Sequence, residues 1–426
     1  VVGPLALRGI SGEQAMTKQH FGRMRTPAGL NLRVVLAAVL LLLLTTGDGC
    51  AQTAAGRPGP GFDCEKATTG LEQIICTDPV LGPLDGALTE AWKTRRAMPG
   101  DTATQEALLA DQRAWLRARI GTCAVPAVAD AEPNQRFKAI PCLITLYRQR
   151  IAALGGRLPA PLPVPAGNRT GVLHPMCLEA LWHVGGGMEQ DDDPGDRPPP
   201  VVDLATCRAG TAHIPITDRS VPGQPTTEDE FFDAERTDYS FQGPAGFFGY
   251  HLVGRTASGI SIYSVEDSGG GTGLFSALLT VREDGRTLNL VQVLPAGDRC
   301  TGGLESARLG ADGKVRTKSY LTPADVGLLM AEAAGHSAEE PPYDTLASCS
   351  ACCFGLRVDD VDPASGDTRL LGVTFDERPE VPDDDPSGAC LVRAVTRTAA
   401  TASFPIHFDE ARLVTLDRTF RASCRR

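Results

Sequence analysis

Apolar positions recur at helical spacing in three stretches between residues 78 and 154. Leu81, Leu84, Leu88, Ala91 and Trp92 fall on one side of a first helix. Asp78 is placed to cap its first turn, with Pro79 at N1. Gly82, Pro83 and Gly86 weaken that turn, since interior glycine costs about 1 kcal/mol and proline about 3 relative to alanine. The long helix is therefore expected to start at Pro83. A second helix, roughly Thr104 to Gly121, carries Leu108, Leu109, Gln112, Trp115, Leu116 and Ile120 along one side. A third, Cys142 to Leu154, places Leu143, Leu146, Tyr147, Ile151 and Leu154 on one stripe.

After Leu154 the pattern changes. Gly155 to Gly167 reads GGRLPAPLPVPAG, and its four alternating prolines predict a stiff, extended spacer. Beyond it, short β-prone runs dominate: Phe247–Thr256, Gly259–Val265, Leu274–Arg282 and Thr287–Leu294. Asp284-Gly285 is a strong hairpin signal, and Asp312-Gly313 is expected to join Ser306–Leu309 to Val315–Tyr320. Thr322-Pro323 opens a short helix to about Glu332. Later strands are expected at Gly355–Val361, Leu370–Phe375, Leu391–Thr398 and Leu413–Phe420. The expected class is α+β: a three-helix domain over 62–154, a linker over 155–167, and a mainly antiparallel β domain with one short helix over 168–426.

The N-terminal region changes the setting. Arg25 and Arg33 precede an apolar run, Val34 to Leu44, which has the length of a signal-peptide core and is too short to span a bilayer. Met24 is the expected start of a signal peptide over 24–50. Two cleavage readings fit. In one, Gly47-Asp48-Gly49 before Cys50 is a degenerate lipoprotein box and Cys50 carries lipid, the only membrane attachment expected. In the other, cleavage follows Ala51 or Ala55. Either removes Cys50 from the thirteen cysteines. Twelve remain for pairing: Cys64, Cys76, Cys123, Cys142, Cys177, Cys207, Cys300, Cys349, Cys352, Cys353, Cys390 and Cys424. Disulfides need an oxidising compartment, so the expected location is the periplasm, cell envelope or exterior.

Four blocks of the helical segment stand out. They are Phe62-Asp63-Cys64-Glu65-Lys66-Ala67; Glu72 with Ile75-Cys76; Gln112-Arg113-Ala114-Trp115-Leu116 with Arg119 and Cys123; and Cys142-Leu143 with Tyr147, Arg150 and Leu154. Together they resemble the N-terminal domain of LprI-type lysozyme inhibitors, over Phe62 to Leu154 only. The resemblance implies an exported helical domain and inhibition of a lysozyme-type muramidase, and implies nothing about the rest of the chain. Four cysteines allow three pairings; the preferred one is Cys64–Cys76 with Cys123–Cys142, the second closing the connection between the second and third helices. Inhibition needs a rigid protrusion that enters the sugar cleft and engages its two carboxylates. Lys66, Arg95, Arg113 and Lys138 are the candidate cations for that contact.

Charge supports the same partner. The full sequence carries a net −11; residues 62–154 hold eleven charges of each sign, while 155–426 hold 24 basic against 39 acidic residues. Nucleic acid and anionic lipid would be repelled, a basic partner attracted, and solubility is the simpler account. Cys349-Ser350-Ala351-Cys352-Cys353 has the spacing of half a zinc site, but no second C-x-x-C follows and disulfides are expected instead. Adjacent Cys352 and Cys353 point apart on an extended strand, so each should take a different partner. The glycine run 269–273 lacks the Gly-Lys-Ser/Thr of a phosphate loop. No nucleophile elbow or His-Glu-x-x-His occurs. No catalytic residue, cofactor or metal is expected. A non-inhibitory envelope binding protein, with specificity in the C-terminal domain, and an envelope hydrolase are the competing classes.

Overall fold

The computed structural model describes residues 59–129, 132–160, 172–184, 200–222, 236–243, 246–269, 271–338, 341–379, 381, 385–399 and 403–424. The expected signal peptide, Cys50 and linker residues 161–167 lie outside these. In the helical segment a 3-10 turn, Cys64–Lys66, precedes α1 (Gly70–Thr77), α2 (Leu81–Ala97), α3 (Thr102–Thr122) and α4 (Pro133–Ala153). The three expected helices are present as α2, α3 and α4, and α1 is an addition. It is too short for a periodic signal but carries a capping box: Glu72 N donates to Thr69 Oγ1 at 3.3 Å and Thr69 N to Glu72 Oε2 at 3.0 Å. Donation from Thr69 N, Thr69 Oγ1 and Thr68 N to Glu72 Oε2 holds this carboxyl below its usual range. Asp78 Oδ1 accepts from Val80 N and Leu81 N, both at 2.9 Å, in the turn before α2, which starts at Leu81, two residues ahead of the expected Pro83, with Val80 at its N-cap.

α4 begins nine residues before the expected Cys142, at Pro133, and runs through Pro141. An interior proline removes one backbone hydrogen bond. Here the helix continues because Phe137, Ile140, Leu143 and Ile144 around it are all buried. Cys64–Cys76 and Cys123–Cys142 are bonded, as preferred from the sequence.

Seven strands form one antiparallel sheet in the order β1-β7-β6-β5-β4-β3-β2: β1 (Val201–Asp203), β2 (Thr217–Val221), β3 (Arg236–Gln242), β4 (Phe247–Arg255), β5 (Ile260–Ser268), β6 (Phe275–Glu283) and β7 (Thr287–Asp298). Five form a second sheet in the order β12-β11-β10-β9-β8: β8 (Leu304–Leu309), β9 (Val315–Leu321), β10 (Gly355–Val361), β11 (Thr368–Phe375) and β12 (Ile406–Phe408). The α+β class holds. The helix after Thr322 is present at Pro323–Ala334, and four more stand among the described residues of 168–426. In chain order these five helices are α5 (Pro175–Val184), α6 (Leu204–Thr211), α7 (Pro323–Ala334), α8 (Pro386–Ala399) and α9 (Glu410–Ser423).

Two expected strands are thereby corrected: Leu391–Thr398 lies in α8 and Leu413–Phe420 in α9. Their valines and threonines favour strands. The buried positions decide otherwise: Leu391, Val392, Ala394 and Val395 in α8, and Leu413, Leu416, Asp417 and Phe420 in α9, recur at helical spacing. Asp409 also caps α9, accepting from Arg412 N at 2.9 Å.

One core runs from the helical segment into the first sheet. It contains Leu84, Phe137, Ile140 and Tyr147 together with Trp182, Phe248, Val265 and Leu279. α4 makes its most extensive helix contact with α6, across the expected linker. Polar bonds follow the same seam: Asn134 Nδ2 donates to Val201 O at 2.8 Å, Asp203 N to Asn134 Oδ1 at 2.7 Å, and His213 Nε2 lies 2.9 Å from Asp78 Oδ2. A second core joins α7, α8 and α9 to the second sheet.

Glycine permits the α4–α6 approach. A Cβ on Gly210 would fall 2.7 Å from Phe137 O and 2.9 Å from its Cα. Gly210→Val is expected to lower stability by about 2 kcal/mol, read from urea unfolding, because backbone cannot yield as a side chain does. An unchanged midpoint would mean that these helices do not meet so closely.

Candidate functional site

The site is built where α2, α3 and α4 meet. α3 supplies Asp111, Gln112, Trp115 and Arg119, spaced so that they share one face; α4 supplies Tyr147 and Arg150, one turn apart; α2 supplies Asp85. The Trp115 and Tyr147 rings meet edge to face, centroids 5.3 Å apart at 78°. The Arg119 guanidinium lies 5.4 Å from each ring centre, and that of Arg150 5.9 Å from Trp115.

Hydrogen bonds complete the lock. Arg150 Nε and Nη2 donate to Gln112 Oε1 at 2.8 and 2.7 Å, and Arg150 Nη1 pairs with Asp111 Oδ2 at 2.7 Å. Arg119 Nη1 donates to the Tyr147 hydroxyl, which donates to Asp85 Oδ1 at 2.9 Å. Asp85 Oδ2 accepts from Gly61 N at 2.9 Å. Burial, and next the Asp85 charge, push the Tyr147 hydroxyl above its ordinary range, so it stays a donor at any working pH.

The lock holds α3 together with the Cys123–Cys142 bond at its C-terminal end. Gln112 is the one buried residue of this helix. The opposite side carries Arg113 and Arg117, exposed, with Leu116 and Ile120 at 37% and 47% exposure. A helix fixed from behind by arginine–aromatic contacts thus presents a mixed basic and apolar face to solvent. Such a face can bind a protein; nothing in the cluster is arranged as a nucleophile with its base.

Read from the sequence alone, Trp115 at its helical position is a core residue, and Arg113, Arg117 and Arg119 form a solvated face. Trp115 is half-buried, and Arg119 lies inside the lock with its side chain 15% exposed. The signal for it was present, since Trp115, Arg119, Tyr147 and Arg150 are among the residues that set this segment apart. The four candidate cations are all exposed and sit on four elements. Lys66 pairs with Asp63 at 3.0 Å after the first cysteine, Arg95 lies in the last turn of α2, Arg113 on the outer face of α3, and Lys138 on α4. Among the described residues no hydrogen bond or ion pair joins any two of them.

All twelve cysteines from Cys64 onward are paired: besides the two bonds above, Cys177–Cys207, Cys300–Cys353, Cys349–Cys352 and Cys390–Cys424. Cys352 and Cys353 take different partners, as expected. Among the described residues no group of three or more His, Cys, Asp or Glu could hold a metal ion, and no helix is long and apolar enough to cross a membrane.

A disulfide-stapled helical unit with a solvent-facing basic and apolar helix is the class of module this geometry defines. The family model described as lysozyme inhibitor LprI matches residues 64–154, so that segment is similar to this family. No curated protein and no solved structure matches the chain.

Proposed function

We propose that this chain is an exported cell-envelope protein that inhibits lysozyme-type muramidases through its LprI-type domain, without catalysis of its own. The match of residues 64–154 to the LprI family carries this reading. The six disulfides support export to the periplasm, the cell envelope or beyond, either soluble or anchored by a lipid on Cys50. We take 62–154 as the inhibitory domain, 155–167 as the linker, and 168–426 as the body on which it is mounted. Of Lys66, Arg95, Arg113 and Lys138, we favour Arg113 for the contact with the muramidase carboxylates, because Leu116 and Ile120 beside it offer apolar area to the same partner.

Titration of the purified full chain against lysozyme in a cell-wall lysis assay is the test. Inhibition is expected near stoichiometric ratios, and Arg113→Glu is expected to weaken it by about tenfold or more, with an unchanged melting temperature. Undiminished lysis at large molar excess removes the proposal.

A second reading rests on charge. Residues 155–426 carry the molecule's net negative charge and would attract a basic partner on their own. The chain would then be a non-catalytic binding protein with its specificity in the C-terminal part. Capture of lysozyme without inhibition, insensitive to Arg113→Glu and abolished by moderate salt, is the result that favours it.

A further inference from the structure

We propose that Cys349–Cys352 is an exchangeable disulfide, a site of thiol–disulfide chemistry with an external dithiol, set on a fold that the other five bonds hold closed. Three observations separate it from those five.

The first is access. In each of the other bonds at least one cysteine is buried: Cys76, Cys123, Cys177 with Cys207, Cys300 and Cys390. Cys349 is exposed and Cys352 only half-buried, so a thiolate can approach Cys349 Sγ from solvent.

The second is reach. Cys349 and Cys352 are three residues apart, whereas the other pairs are separated by 12 to 53. A crosslink restricts the unfolded chain more the longer the loop it closes, so this one contributes least to the fold.

The third is independence. The segment stays anchored when the bond opens. Cys353 is tied to Cys300, Ser350 Oγ accepts from Arg299 Nη2 at 2.9 Å, and Phe354 N donates to Leu321 O at 2.8 Å. Cys352 N donates to Cys349 O at 3.0 Å, a turn that keeps the two sulfurs adjacent for re-closure.

The chemistry is a pair of displacements. One thiolate of the dithiol attacks Cys349 Sγ, forming a mixed disulfide and expelling Cys352 as thiolate. The second thiolate of the dithiol attacks its own bridged sulfur, releasing Cys349. The dithiol becomes a disulfide, losing two electrons and two protons, and Cys349 and Cys352 become thiols. Run in reverse, the pair oxidises when a disulfide is supplied.

Equilibration of the full chain in glutathione buffers of graded reduced-to-oxidised ratio, followed by acid quench, alkylation and peptide mapping, tests this. Cys349 and Cys352 are expected to be labelled together, at a ratio at least about tenfold less reducing than opens any other pair, with circular dichroism unchanged. The double variant Cys349→Ser/Cys352→Ser is expected to fold with the same melting temperature and to lose this two-thiol step. Labelling that begins at any other pair, or that reaches Cys349 and Cys352 only as the fold is lost, overturns the proposal. So does a double variant that fails to fold, because the bond would then be structural.

Discussion

Tyr147→Ala is expected to destabilise the protein by about 4 kcal/mol, seen as a lower urea midpoint. The side chain is fully buried, and its ring is the platform for Trp115 and Arg119. Removing it opens a cavity, deprives Asp85 Oδ1 of its donor and leaves the half-buried Arg119 without its hydroxyl acceptor. Tyr147→Phe separates the two contributions. It keeps the ring and removes the hydroxyl, and its expected cost is about 1–2 kcal/mol, because Gly61 N still reaches Asp85 Oδ2. The loss should also be uneven. No apolar residue of α3 is fully buried, with Leu108 and Trp115 packed only partly against the core, so in Tyr147→Ala its amides are expected to exchange with solvent well before those of α2 or the sheets. A change below 1 kcal/mol, or uniform exchange, would show that something other than this lock holds α3.

That lock also explains what the sequence could and could not tell. Helices with an apolar stripe, and strands bounded by Asp-Gly turns, were legible because local pattern and tertiary burial agree there. β4 to β7 lie within a few residues of the expected runs. α8 and α9 were misread because their β-branched residues favour strands, while packing of one face against the second core outweighs that preference. α4 was read short because Pro141 carries a local penalty that burial on both sides outweighs. In the site, the cysteine pairs and Gln112, Trp115, Arg119, Tyr147 and Arg150 of the lock were visible as a motif, while Asp85 and Asp111 were not. The inward placement of Arg119 was not, since an arginine two and six residues from other arginines on an exposed helix reads as solvated until Tyr147, 28 positions later, is brought against it.

The sharing of one core between the LprI-type segment and the sheet has a consequence for pH. His174, just before α5, is buried at the base of this core, with its ring 5.9 Å from that of Phe241. Its Nδ1 accepts from Met176 N at 3.2 Å and its Nε2 lies 3.4 Å from Ile214 O, so the ring is fully engaged in its neutral form. Burial above all, with His213 adding to it against the backbone bond to Ile214 and the Asp78 charge, pushes it down to about 4 from 6.5. The unfolded chain therefore takes up the proton first. Its contribution to stability is complete above pH 6.5 and is lost as pH falls toward 4, to a total of about 3 kcal/mol. Between pH 7 and 5 the loss is expected to be about 2 kcal/mol, before most carboxylates titrate. Urea unfolding of the wild type and of His174→Gln at both pH values isolates it. The wild type should lose about 2 kcal/mol more than the variant, and equal losses would place the ring in contact with water, not inside the core that joins the helices to the sheet.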